Sequence, residues 1–431
     1  MPKRRPSEKN VFFIQSHPKD LDKLIFTKNI FRTDFQVNFK DIYIKIIMKL
    51  LIKSLALLSF ICLWIVSCSR KEVRYTNPNL TVIYLDSLVE KKAYFESTGQ
   101  KDSVRFVKLE TNDNCLIGQI VKITIKNNLI FVNDNNNKLF VFNDEGKFLN
   151  QIGSVGQGPG ELITLYDFYI DDQYVYIKDM LRRRFTKYTY DGKLQEIIDL
   201  DDVLQYYVCF TLLNDGNLLL QSMNGPEMEY NYRIVNPAKK YRIEKECLPF
   251  RFIATTWSSP SESQMGSNKN ATYALALFSD TIYKYENGNL RPDIVFQGNL
   301  KKLRSGQGEL IDNISKMHNR LVLDDYSTGL NNLYVTNDYI FFRYFEKATQ
   351  YYIYWDIEEK KGFYIKNYND ENPLMSEVGL RASTGNALVC YHYPYRLIDK
   401  KDKIVKEEHI QFVESLDAED NPVLAFHYLI K

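Results

Sequence analysis

Residues Leu129–Leu162, "LIFVNDNNNKLFVFNDEGKFLNQIGSVGQGPGEL", contain three strand-like runs separated by turn residues. The turns "NDNNNK" and "NDEGK" are rich in Asn, Asp and Gly, which favour hairpin connections. The next unit, "YVYIKDMLRRRFTKYTYDGKLQEII" (Tyr174–Ile198), has the same order, and its Gly192 stands 46 positions after Gly146. A repeat of about 40 to 50 residues built from four strands is typical of a β-propeller blade.

Hairpin patterns continue to the end of the chain, for example in "FSDTIYKYENGNLRPDIVF" (Phe278–Phe296). The 31 Tyr and 26 Phe agree with this interpretation because aromatic residues favour half-buried strands. We therefore predict an all-β fold, a six-bladed β-propeller with four-stranded antiparallel blades, over residues 101–431. The blade pattern is weakest in residues 224–270, and Gln307–Leu323 predicts one short helix.

The two ends of the predicted propeller indicate how the ring closes. The final stretch "NPVLAFHYLIK" (Asn421–Lys431) begins with a turn signal and continues as a strand, and "SVRFVKLE" (Ser103–Glu110) is strand-like as well. Because an unpaired strand edge invites aggregation, propellers commonly pair strands from both ends within one blade. We expect these two segments to share a blade.

The glycine-rich stretch "GSVGQGPGEL" (Gly153–Leu162) resembles a phosphate-binding loop only in composition. A P-loop has the spacing GxxxxGK[ST], but here Gly160 is followed by Glu161 and Leu162. The glycines and Pro159 instead predict a tight turn between two blades. The neighbouring "DNNNK" (Asp134–Lys138) lacks the ligand spacing of an EF-hand and predicts a turn in which Asp134 binds backbone amides.

The stretch "MKLLIKSLALLSFICLWIVSCSRKE" (Met48–Glu72) has the pattern of a secretory signal. Two lysines precede an apolar run of about a dozen residues, which is too short for a typical spanning helix. "IVSC", ending at Cys68, resembles a bacterial lipobox, in which the cysteine is lipidated. We predict that residues 1–47 are a non-native or wrongly assigned extension, 48–67 a signal peptide and 68–100 a tether; the alternative is an uncleaved anchor with a chance cysteine.

The net charge of the chain is +2, and cleavage before Cys68 would remove 12 Lys and Arg and 5 Asp and Glu, which leaves a charge of −5. The predicted mature chain therefore lacks the basic character of nucleic-acid-binding proteins. Four other cysteines follow Cys68, and an oxidising compartment would allow three pairings among them. Two of them, Cys209 and Cys390, lie within apolar runs, which favours free thiols in the core.

Several segments resemble a known family: "VRFVKLETNDNCLIGQIVKI", "LFVFNDEGKFLNQIGSVGQGPGEL", "FSDTIYKYENGNLRPD" and "NPVLAFHYLIK". They are similar to the six-bladed β-propeller lipoproteins of Bacteroidetes-type bacteria, which are relatives of the NHL-repeat propellers. The resemblance covers about Val104–Lys431, and its most specific part is Phe142–Leu162. It implies a propeller fold and a location in the outer membrane or at the cell surface, with the periplasmic face as an alternative, but no particular activity.

Two patches are candidates for ligand contacts. Three consecutive arginines in a predicted turn could bind acidic groups, and "YHYPYR" could stack on a sugar ring. The simpler interpretations are a solvated turn and a strand packed into a blade. The candidate residues are Arg182, Arg183, Arg184, Tyr391, His392 and Arg396.

Neither a metal nor a cofactor is predicted, because the sequence lacks HExxH and any close histidine pair, and no catalytic residues can be named. The leading hypothesis is a lipid-anchored, monomeric binding module of the cell envelope, held to the membrane through Cys68 and recognising a protein or a glycan. The alternatives are an enzyme that processes polysaccharides or glycosides and a structural or adhesion protein. Nucleic acid is not an expected partner.

Overall fold

The computed structural model describes residues 80–91, 103–258, 264–303, 308–347, 349–366, 379–404 and 406–428. Within them, the strands form six four-stranded antiparallel sheets arranged as a six-bladed β-propeller. The predicted fold class is confirmed. The predicted extension, the signal peptide and Cys68 lie outside the described residues.

Three strands precede the first complete blade, and blades 1 to 3 then follow as consecutive strands. The first three strands are β1 (Thr81–Tyr84), β2 (Val89–Glu90) and β3 (Ser103–Lys108). Blade 1 contains β4 (Ile120–Lys126), β5 (Leu129–Asp134), β6 (Leu139–Asn143) and β7 (Phe148–Ile152). Blade 2 contains β8 (Asp167–Ile170), β9 (Tyr174–Asp179), β10 (Arg184–Thr189) and β11 (Leu194–Asp199). Blade 3 contains β12 (Tyr207–Leu212), β13 (Leu218–Ser222), β14 (Tyr230–Asn236) and β15 (Arg242–Pro249).

Blades 4 to 6 carry additional elements between their strands. After β16 (Phe252–Ala254), blade 4 contains β17 (Met265–Ser267), β18 (Thr272–Leu275), β19 (Thr281–Glu286) and β20 (Asn289–Gln297). The next crossover carries β21 (Glu309–Ile311) and helix α1 (Ile314–Leu323). Blade 5 contains β22 (Leu330–Val335), β23 (Tyr339–Glu346), β24 (Thr349–Asp356) and β25 (Gly362–Lys366). Blade 6 contains β26 (Leu380–Thr384), β27 (Ala387–His392), helices α2 (Pro394–Asp399) and α3 (Glu407–Glu414), and β28 (Val423–Tyr428).

Asn and Gly residues make the tight hairpins possible. In the turn between β19 and β20, Asn287 and Gly288 have φ angles of 50° and 72°. Positive φ at both central positions matches the right-handed twist of the two strands, and Asn-Gly adopts it at little cost. The turn residues seen in the sequence therefore set the strand boundaries.

Apolar side chains are buried mainly between neighbouring blades. Phe131 and Val141 of blade 1 pack with Phe168 and Ile177 of blade 2 in one such cluster. A larger cluster joins blades 4 and 5. Each blade thus buries its apolar residues only when the next blade is in place, so the ring is stabilised by the contacts between blades.

The ring closes in blade 6, where β28 pairs with β27 on one side and with β3 on the other. The register with β3 runs from Val423 opposite Lys108 to Tyr428 opposite Ser103. Buried Asn421 joins the same two parts of the chain: its side chain donates to the carbonyls of Glu110 at 2.6 Å and Cys115 at 2.7 Å. The predicted sharing of a blade by the two ends is confirmed.

Strand order places several loops on one face of the ring. Since successive strands of a blade are antiparallel, the turn between the second and third strands lies on the same face as the crossover to the next blade. We call this the crossover face. Strands β16 and β21 pair in parallel there, and α1, α2 and α3 belong to the same face.

Helix α1 lies within the predicted helical stretch, and its Asn313 cap accepts a hydrogen bond from the Lys316 backbone at 2.8 Å. Helices α2 and α3 were not predicted, because six and eight residues are too few for a clear helical pattern. Among the described residues, no helix has the length and apolar character needed to cross a bilayer.

Residues 80–91, here called the edge segment, extend the outer edges of two blades. Strand β1 pairs in parallel with β20, and β2 pairs in parallel with β25. Ile83, Leu85 and Leu88 are buried in the cluster of blades 4 and 5. This part of the predicted tether therefore packs against the propeller.

Candidate ligand cavity

A cavity of about 300 Å³ lies on the crossover face at blades 3, 4 and 5. Its volume is at the lower end of the range for small-molecule sites. Blade ends form its floor, and α1 with the crossover from blade 3 to blade 4 forms its walls. It is lined by Gln221, Ser222, Asn224, Asn231, Phe250, Ser258, Gln264, Leu277, Phe278, Ile314, His318, Thr328, Leu330, Asn331, Arg343 and Phe345.

Two buried asparagines hold the walls of the cavity in place. Asn224 donates to the Phe252 carbonyl and accepts from the Ala254 amide, both at 2.7 Å. Asn231 donates to the Leu248 carbonyl at 2.7 Å and accepts from the Leu277 amide at 3.0 Å. Each amide donates one hydrogen bond to the backbone and accepts one from it, which holds together the segments that shape the cavity.

Two other lining residues present polar atoms without a protein partner. Gln221 and Thr328 are only 5% and 8% exposed. In the described part of the chain, neither Gln221 Oε1 nor Thr328 Oγ1 makes a hydrogen bond. A buried polar atom that lacks a partner costs about 1 to 3 kcal/mol. Both residues line the cavity.

The charged and titratable groups of the cavity are few. Arg343 donates from Nε to Asn331 Oδ1 at 2.8 Å, and its guanidinium lies 4.8 Å from the centre of the Phe345 ring. Burial lowers the pKa of His318, which favours its neutral form. No carboxylate is found among the described lining residues.

Arg182 and Arg183 lie in the turn between β9 and β10, and Arg184 begins β10. Two of the three arginines bind the glycine-rich loop. Arg182 Nη1 and Arg184 Nη2 both donate to the Glu161 carbonyl, at 2.7 and 2.9 Å. Arg183 forms an ion pair of 2.6 Å with exposed Asp202. This loop is the crossover between blades 1 and 2, as the glycine pattern predicts, and Arg182 and Arg184 fix its end.

The second candidate patch is divided between a strand and a helix. Tyr391 and His392 lie on β27 and are buried, whereas Arg396 lies on α2 with its Nε 3.0 Å from the Tyr395 hydroxyl. Both faces of β27 are buried. Tyr391 packs in a cluster with blade 1, and Cys390 packs in a cluster with blade 5. None of the six predicted contact residues lines the cavity.

A group of buried histidines surrounds Cys390 in blade 6. Cys390 Sγ lies 3.2 Å from His427 Nε2 and 3.7 Å from His392 Nε2. Burial and the neighbouring His392 and His409 lower the pKa of His427 to about 3. No group of three or more His, Cys, Asp or Glu within the described ranges has the geometry of a metal site. The four cysteines at 115, 209, 247 and 390 are free thiols, as expected.

Lys178 is a second buried titratable group. It is inaccessible to solvent, and burial lowers its pKa to about 7. Its Nζ donates to the carbonyls of Leu204 at 3.1 Å and Gln205 at 3.0 Å, and also to that of Tyr207. All three protons are thus engaged with the backbone that precedes blade 3, which makes Lys178 a structural residue.

The cavity could not be predicted from the sequence, although the sequence contains one signal for it. Residues 224–270 fit the blade pattern least, and five lining residues come from this range: Asn224, Asn231, Phe250, Ser258 and Gln264. The sequence departs from the blade repeat here because the crossover from blade 3 to blade 4 contains an additional segment with strand β16. Gln221 and Thr328 carry no such signal, because only the fold shows that they are buried beside a cavity.

A family model described as a domain of unknown function, DUF4934, matches residues 80–428. The chain belongs to this family. The DUF4934 match begins with the edge segment and ends with β28, so it includes every strand of the propeller described above. No curated protein matches the chain.

Several solved structures are similar to this chain. A Bacteroides fragilis protein predicted to be exported superposes with a TM-score of 0.65 at 21% identity, over 81% of this chain and 100% of that one. A DUF4221 member from Bacteroides vulgatus gives a TM-score of 0.49 at 10% identity, over 76% and 97% of the two chains. Virginiamycin B lyase from Staphylococcus aureus gives 0.40 at 11% identity, over 77% and 100%. At 21% identity, the first similarity concerns the fold alone.

Proposed function

We propose that this protein is a non-catalytic binding module of the cell envelope, and that its ligand occupies the cavity of blades 3 to 5. The observation that carries this proposal is the pair of buried, unpartnered polar atoms on the cavity wall. A lining without described carboxylates favours binding over glycoside hydrolysis. Binding sites on closed β structures commonly lie at such mouths between loops.

The binding proposal is tested with residues 69–431, which omit the predicted lipid-attachment residue Cys68 and contain the whole compact unit from Tyr75 onward. A library of saccharides, amino acids, dipeptides and carboxylates is screened for an increase in melting temperature. We expect at least one compound to stabilise the wild type and to be recovered unchanged. His318→Trp, which fills the cavity from α1, should abolish the effect, whereas Ser315→Trp on the exposed side of the same helix should not.

Two results would contradict the proposal. Conversion of a stabilising compound into a product would make the protein an enzyme. The absence of any stabilising compound, or equal stabilisation of the His318→Trp variant, would remove the cavity as the binding site.

The second part of the proposal is the cellular location of the protein. The exported class of the similar Bacteroides fragilis protein and the lipobox-like "IVSC" together support export and lipidation at Cys68, with Met48 as the start of translation. We expect mass spectrometry of the membrane fraction to find an acylated N-terminal Cys68 and Cys68→Ala to release the protein from the membrane. A mature N-terminus upstream of Cys68 would show that the protein is not lipidated at this cysteine.

A further inference from the structure

We infer that the cavity of blades 3 to 5 binds a neutral, hydroxyl-rich ring, a mono- or disaccharide in chemical class. This inference rests on the proposed function and specifies its ligand. Three features of the cavity support it: the donor and acceptor character of the two unpartnered groups, the apolar residues of the lining and the volume.

The unpartnered groups select for hydroxyls. Gln221 Oε1 is an acceptor and needs a donor, which a carboxylate or phosphate oxygen without a proton cannot supply. Thr328 Oγ1 can either donate or accept. A hydroxyl is both donor and acceptor, so a ligand that carries several hydroxyls has the right group for each of the two residues.

The apolar lining is suited to the C–H groups on the faces of a sugar ring. Phe250, Phe278 and Leu277 contribute apolar surface to the same cavity that Gln221 and Thr328 line. A pyranose has C–H groups on its faces and hydroxyls at its edge, so it can contact apolar walls while its edge makes hydrogen bonds. The volume of about 300 Å³ limits the ligand to one or two such rings.

The test uses two near-isosteric substitutions, Thr328→Val and Gln221→Leu, in residues 69–431. The probes are glucose, galactose, N-acetylglucosamine and maltose, with glucuronate and glycylglycine as the anionic and peptide arms. Binding is measured by ligand-observed NMR and calorimetry. We expect a neutral saccharide to bind, and each substitution to weaken binding at least tenfold.

The free protein gives a second readout. Because Thr328→Val removes a buried hydroxyl that has no partner, it should leave the melting temperature of the unliganded protein unchanged or higher. Thr186→Val, the same change at a buried threonine of blade 2 outside the cavity, is the control and should bind the saccharide as the wild type does. Weaker binding without lower stability distinguishes a ligand contact from a structural role.

The outcomes separate the two proposals. If glucuronate or glycylglycine binds in a manner sensitive to Thr328→Val while no neutral saccharide does, the saccharide inference is wrong and the binding function stands. If a saccharide binds equally to both variants, it does not occupy this cavity and the inference is wrong. If no probe and no library compound binds, both proposals fail.

Discussion

His427 is a residue whose chemistry is set by its position in the ring. It lies on β28 with its side chain fully buried, its Nε2 faces the Cys390 thiol, and His392 and His409 are its titratable neighbours. His409 is itself tied to β3, since its Nε2 lies 3.3 Å from the Val104 carbonyl. The closing blade therefore contains a buried imidazole, His427, whose neutral form is favoured by burial.

We predict that acid destabilises the propeller through His427. Its pKa is about 3 in the folded state against 6.5 as the ordinary value, so the unfolded state binds a proton that the folded state does not. The contribution of His427 is complete above pH 6.5 and decreases as the pH falls toward 3. At pH 5 the free energy of unfolding should be about 2 kcal/mol lower than at pH 7 from this residue alone.

Denaturant titrations at pH 7 and pH 5 measure this effect. His427→Gln retains a hydrogen-bonding group beside Cys390 but cannot titrate, so it should lose about 2 kcal/mol less than the wild type between the two pH values. Equal losses in the two proteins would mean that His427 does not carry the acid sensitivity.

At the scale of elements, strand β28 determines whether the ring is closed. Residues Val423–Phe426 are no more than 2% exposed, and the strand has hydrogen-bonded neighbours on both sides. Its removal would leave the edges of β27 and β3 unpaired and expose the apolar contacts of blade 6. The resulting decrease in the free energy of unfolding is comparable with the whole stability of an ordinary domain, about 5 to 15 kcal/mol.

We predict that truncation after Ala418 causes aggregation, whereas removal of residues 429–431 or of residues 1–67 leaves the melting temperature unchanged.

Asn421→Ala is a milder variant that tests the same closure. It removes the hydrogen bonds to Glu110 and Cys115 and one from the Ile117 amide, and should cost about 2 to 4 kcal/mol. Calorimetry and size-exclusion chromatography provide the measurements. A truncated protein that stays monomeric with the wild-type melting temperature would show that β28 does not close the ring.

At the scale of the whole molecule, the fold was predictable because each blade repeats a local pattern. The turn residues "NDEGK" and "YDGK", the spacing of Gly146 and Gly192, and the alternation in the final strand are all local in sequence. They determine strands, turns and the number of blades without knowledge of contacts between distant residues.

The site was not predictable for the opposite reason. Gln221 and Thr328 are 107 positions apart, and only the stacking of blades 3 to 5 brings them to one cavity. Likewise, the arginines at 182 and 184 suggested an anion site by composition. Both donate hydrogen bonds to the Glu161 carbonyl, which belongs to a loop about 20 residues earlier. Side-chain partners that are distant in sequence decide which polar groups remain for a ligand.

The edge segment also determines how the protein responds to mechanical force. A pull from the N-terminal side loads β1 first, then β2, and only afterwards β3, because the chain meets blades 4, 5 and 6 in that order. Strand β1 is held by four residue pairs and β2 by two, whereas β3 is held by six. Detaching the edge segment would release roughly 40 Å of slack chain, at about 3.5 Å per residue, before tension reaches the strands that close the ring.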